Sequence, residues 1–81
     1  MKEIKSYKDL VKGLSMSIKG VNEIIRTSRN MGGLEDYIIE LMGERDYIGD
    51  LLCKFLTGDF GAYEIYKAKE LIKEYGDIVD N

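Results

Sequence analysis

The residues of this chain that could do covalent chemistry are few. Cys53 is its one thiol, and no histidine stands anywhere in the sequence to activate it. A serine or cysteine nucleophile needs an adjacent base, most often an imidazole. Ser15 and Ser17 stand near Lys19, but at a spacing that matches no nucleophile motif. Cys53 is therefore expected as a small apolar filler, buried or half-buried, and the chain is expected not to be an enzyme.

Carboxylates are the next candidates, because oxygens clustered on one helix face can share a hard cation. Asp36, Glu40 and Glu44 recur every four residues, with Asp46 and Asp50 on another side. A di-iron bundle would need Glu-x-x-His pairs, which a chain without histidine cannot supply. Asp59 to Glu70 spans twelve residues with an acid at each end, yet Gly61, Tyr63 and Glu64 stand where a calcium loop places two ligands and its turn glycine. A solvated acidic face is the better reading. Gly32-Gly33 and the Gly58–Gly61 stretch match neither a P-loop nor a dinucleotide fingerprint. No metal and no cofactor is expected.

Association leaves more traces. Lys5, Lys12, Lys19 and Arg26 recur at seven-residue intervals opposite the apolar stripe of their helix, flanked by Lys8 and Arg29. Such a ridge suits phosphates or an acidic protein surface, or simply water. Beside it run Ser6, Gly13, Gly20 and Thr27. Two glycines inside a long helix are costly, and close approach of another helix, internal or a partner's, would justify them. Phe60, Tyr63 and Tyr66 form an aromatic cluster only partly aligned with a core row, and tyrosine is frequent at binding hot spots. Residues 39–56 loosely suggest helix, glycine turn and helix, a DNA-reading arrangement. The second of these helices would carry Arg45 and Lys54 against Glu44, Asp46, Asp50 and Asp59, a poor balance for meeting phosphate.

Helices must position all of these. Ile4, Val11, Ile18 and Ile25 form one heptad row, Tyr7, Leu14 and Val21 a second, and Leu10 and Ile24 a third. Together they predict a helix over 6–30 with a core-facing stripe. Ser6 with Asp9 three residues on marks its start, and Gly32-Gly33 its end. Leu34, Leu41, Ile48 and Phe55, flanked by Tyr37, Ile38, Leu51 and Leu52, predict a second helix over 34–57, with a break near Gly43 as the alternative. Gly58 should close it and Asp59 cap a third over 60–75, built on Ile65, Ala68, Leu71, Ile72 and Tyr75. The fold expected is all-α: one domain spanning 1–81, a compact antiparallel bundle of three helices, or four if Gly43 breaks the second. Ile39, Met42, Tyr47, Cys53 and Leu56 make the second helix too apolar for one face. It should lie sandwiched between the other two or in a homodimer interface, with Ile39 and Tyr47 as candidate contacts.

Charge divides along the chain. Residues 1–31 carry seven Lys/Arg and three Asp/Glu, residues 34–81 five and twelve, for a total of −3. A basic helix against an acidic remainder favours complementarity within the bundle, although each exposed pair contributes only tenths of a kcal/mol. No apolar run approaches the ~18 residues that span a bilayer, the N-terminus does not read as a signal peptide, and a lone thiol fits the cytoplasm. With no chemistry, no membrane segment and no nucleotide loop, the expected function is binding to another protein, as a regulator, adaptor or inhibitor. A small DNA-binding regulator and an acidic inhibitor of a nucleic-acid-acting enzyme are the alternatives; binding of nucleic acid by the chain is expected to be weak.

Overall fold

Heptad rows written this strongly should become long helices, and in the computed structural model they do: α1 (Tyr7–Met31), α2 (Glu35–Thr57) and α3 (Ala62–Tyr75). Residues 6–78 are described; among them the helices account for 85% and no strand occurs. Lys5 and Ile4 lie outside the described residues. At the start of α1 the Ser6 hydroxyl accepts the Asp9 N–H at 3.4 Å. Its end comes at Gly32 and Gly33, with φ of 76° and 73°, a region that only glycine enters without strain. Gly58, left-handed at φ 77°, closes α2, and the Asp59 N–H turns back to the Lys54 carbonyl at 2.9 Å.

Asp59 does not cap the third helix. Its backbone is spent on closing α2, and the chain runs extended through Gly61, whose N–H donates to the Glu64 carboxylate at 2.7 Å. α3 consequently starts at Ala62, two residues later than the spacing suggested. Nor does α2 break: it runs unbroken through Gly43 and Gly49. Those glycines cost up to ~1 kcal/mol each. Burial of Leu41, Ile48, Leu51 and Phe55 on both sides of Gly43 outweighs them, at roughly 1.5–3 kcal/mol per large side chain.

Of the two places expected for the second helix, the one between the other two belongs to α1. α1 packs along both α2 and α3, which scarcely touch one another. The cause is a second face on α1. Beside its apolar row of Leu10, Leu14, Val21 and Ile25 lie the buried small residues Gly13, Ser17 and Gly20. The Ser17 hydroxyl is satisfied within the helix by the Gly13 carbonyl at 2.7 Å, so α3 meets no unpaired polar group. At Gly20 the approach is backbone to backbone: a Cβ there would stand 2.4 Å from the Tyr75 carbonyl oxygen and 3.2 Å from Ile78 Cβ. The helix that justifies this glycine is therefore the chain's own, and the glycine row is no dimer surface at that point; Ser6 and Thr27 at its ends are exposed. The molecule is a slab of 39 × 25 × 16 Å, with α2 and α3 splayed from a common helix.

Candidate interaction surfaces

Splaying leaves α2 with two uncovered edges, and each carries a distinct chemistry. The first edge faces α3 across an open cleft of about 1080 Å³. From α2 it is lined by Tyr37, Glu40, Glu44 and Tyr47, and from α3 by Tyr63, Lys67, Glu70 and Glu74, with Tyr75 beside them. Both sets step by three or four residues, so each forms one stripe of its helix. Four of the chain's six tyrosines and four glutamates thus converge on one lysine. The Tyr75 phenol is pushed up to about 12, first by burial and then by the Glu44 and Glu74 carboxylates. Burial also raises Tyr47, helped by its neighbour Tyr63. At neutral pH these phenols are protonated donors among carboxylates, an arrangement that favours a cationic guest over an anionic one.

The second edge lies on the far side of α2. Ile38, Met42, Arg45, Gly49, Leu52 and Leu56 recur at alternating steps of four and three, with Ile39 and Cys53 alongside. Ile39 is 65% exposed and Leu56 63%, while Ile38, Met42 and Leu52 are half-buried against the rim of the core. Val11 and Ile18 of α1 are likewise half-buried against the core. Arg45 sits in the middle, donating to Asn22 Oδ1 of α1 at 3.1 Å and standing 4.0 Å from the Asp46 carboxylate. Cys53, expected as a buried or half-buried filler, is exposed here.

The aromatic cluster divides. Phe60 leaves it to pack at 4.5 Å from the Phe55 ring and 5.7 Å from the Tyr7 ring. The Tyr7 hydroxyl donates to the Phe55 carbonyl and so closes the end of the bundle. Tyr63 joins Tyr47 in the cleft, whereas Tyr66, 61% exposed, sits beside Glu70, whose carboxylate raises its phenol pKa. Tyr47 lines the cleft, and Ile39 lies outside it, exposed beside the outer edge. Of the basic ridge, Lys12, Lys19 and Arg26 are exposed on α1, and Arg26 is held by Glu23 one turn back. Glu70, Glu74, Lys67 and Tyr75 are not among the site residues expected from the sequence, and Tyr37, expected on the flank of the apolar row of α2, is exposed. Their three- and four-residue spacing was visible; that two stripes would face each other depended on α1 taking the centre.

Among the described residues no group of histidine, cysteine or carboxylate side chains is placed to hold a metal ion, and no helix is long and apolar enough to cross a membrane. No protein-family model, curated protein or solved structure matches the chain.

Proposed function

We propose that the chain is a non-catalytic module that binds another protein, acting as a regulator, adaptor or inhibitor in a reducing compartment such as the cytoplasm. The observation that carries this reading is the outer edge of α2, where Ile39 and Leu56 stay mostly exposed and Ile38, Met42 and Leu52 are only partly buried. Contiguous uncovered apolar surface on a small chain marks an interaction site. Tyr7 meeting Phe55 and Asn22 meeting Arg45 support an antiparallel α1–α2 pair. A photo-activated cross-linking residue placed at Leu56, in cells that make the protein, tests the reading against the same residue at Thr27. A discrete protein adduct from position 56 alone is expected; equal or absent labelling from both positions would remove the basis for the proposal.

The cleft favours a second reading, in which the acidic side of the molecule engages a basic protein surface, as an inhibitor of a nucleic-acid-acting enzyme would. Its four glutamates and one lysine supply the sign of charge that such a surface needs. The DNA-binding alternative loses its support in the unbroken α2, which forms no turn at Gly43. A fluorescence anisotropy titration with duplex DNA at physiological salt should show no sub-micromolar affinity.

A further inference from the structure

From the pattern of the outer edge of α2 we infer that its occupant is a second copy of the same edge, lying antiparallel about a two-fold axis at the level of residue 47. This rests on the protein-binding reading and names its partner. A two-fold contact must be self-complementary, so that each residue meets its counterpart reflected through one midpoint. Ile38 with Leu56, Met42 with Leu52, and Arg45 with Gly49 all share the midpoint 47. Every residue at the alternating four- and three-residue steps of the stripe is therefore paired, with none left over. Sizes match as well as positions. Apolar side chains oppose apolar ones at both ends, and at the centre the longest side chain faces the residue that has none. A Cβ at Gly49 would meet nothing within 4 Å in the single chain, so the fold itself does not ask for a glycine there. A helix interior penalises it, and a slot for the partner's Arg45 accounts for it.

Charge follows the same symmetry. Around the axis Arg45 and Asp46 of one copy would lie beside Asp46 and Arg45 of the other, alternating in sign.

The register makes a geometric prediction that the native chain can answer, because Cys53 is its one thiol and is exposed. Six residues from the axis at 1.5 Å each, the two Cys53 residues should be offset by about 18 Å along the helices. A parallel pairing would bring them to about 8–10 Å, the spacing of packed helices. Sedimentation of the unlabelled protein at roughly 0.1 mM, with pulsed electron resonance on protein spin-labelled at Cys53, tests both points. A dimer with labels roughly 20–30 Å apart is expected. Leu56→Glu should weaken it by roughly tenfold or more. Gly49→Leu should dissociate it by filling the slot for Arg45, while the monomer keeps its full helical signal. A monomer at that concentration overturns the inference but leaves binding of a different protein at this edge to the cross-linking experiment. A dimer with labels in parallel register, or one indifferent to both Leu56→Glu and Gly49→Leu, overturns it equally.

Discussion

Gly20→Ala and Gly43→Ala make the same chemical change in two long helices, and the structure assigns them opposite signs. In an open helix interior, alanine is favoured over glycine by about 0.8–1 kcal/mol. Gly43 offers such a place, since nothing lies within 4 Å of an added Cβ, and the substitution should raise the melting temperature by roughly 4–8 °C. At Gly20 the new methyl would stand 2.4 Å from the Tyr75 carbonyl oxygen. That atom belongs to backbone and cannot rotate away. The last turn of α3 must retreat by close to an ångström, and it carries buried Leu71, Ile72 and Tyr75. A gap of 0.5–1 Å forfeits a quarter to a half of each contact across it, and overpacking of this kind costs about 1–3 kcal/mol. After the helix-propensity gain, a net loss of up to about 2 kcal/mol remains, or up to roughly 15 °C. Thermal melts of the two variants beside the parent, followed by circular dichroism at one protein concentration, measure both. If Gly20→Ala stabilises the protein as Gly43→Ala does, α3 does not seat on α1 at Gly20, and the placement of α1 at the centre fails with it.

Alkaline pH should destabilise the fold through Tyr75. Its phenol holds its proton to about 12 in the folded chain and to about 10 unfolded, so the stabilisation is complete below pH ~10 and is lost as pH rises from there towards ~12. Urea titrations across that window should show a loss approaching about 2–3 kcal/mol that Tyr75→Phe removes. Tyr7→Phe keeps the ring against Phe60 but deletes the hydroxyl donated to the Phe55 carbonyl, and should cost about 1 kcal/mol in the same assay. Phe55→Ala empties a fully buried site that Phe55 shares with Tyr7 at the start of α1 and Phe60 in the connection between α2 and α3. Its cost of about 3–5 kcal/mol should leave a domain of this size largely unfolded by circular dichroism.

The three helices were legible because each apolar row repeats over several turns, and because Ser6, Gly32-Gly33 and Gly58 punctuate them with residues whose backbone preferences are strong. Their mutual arrangement was not, for a definite reason. The sequence marks α2 as the helix with surplus apolar surface, and apolar surplus suggests a central position. Centrality here goes instead with how closely backbones approach, and Gly20, where α1 meets the Tyr75 carbonyl, adds almost nothing to a hydrophobic pattern, nor do the buried Gly13 and Ser17 beside it. The small-residue row was noticed, but its partner lies more than fifty residues away at Tyr75. The same inversion hid the cleft. With α2 at the centre, Tyr37 and Tyr47 would be core and Glu70 and Glu74 plain surface. With α1 there, they meet.

The two edges of α2 also differ in what they could contribute jointly. A second copy on the outer edge leaves the cleft open, because the stripe through Ile38 and Leu56 and the stripe through Tyr37 and Tyr47 lie on separate sides of the helix. The antiparallel pairing would then carry two acidic, tyrosine-lined clefts related by the two-fold axis. A partner with a single basic segment would meet each cleft alone, with the modest strength of exposed ion pairs. A partner presenting two such segments at the matching separation would gain from the second contact without any new chemistry, since that contact forms at the effective concentration set by the first. Dimerisation would in this way supply the strength that a shallow, charged cleft on an 81-residue chain lacks by itself. Leu56→Glu, which leaves every cleft residue in place, should therefore weaken binding of a bivalent basic partner far more than that of a monovalent one.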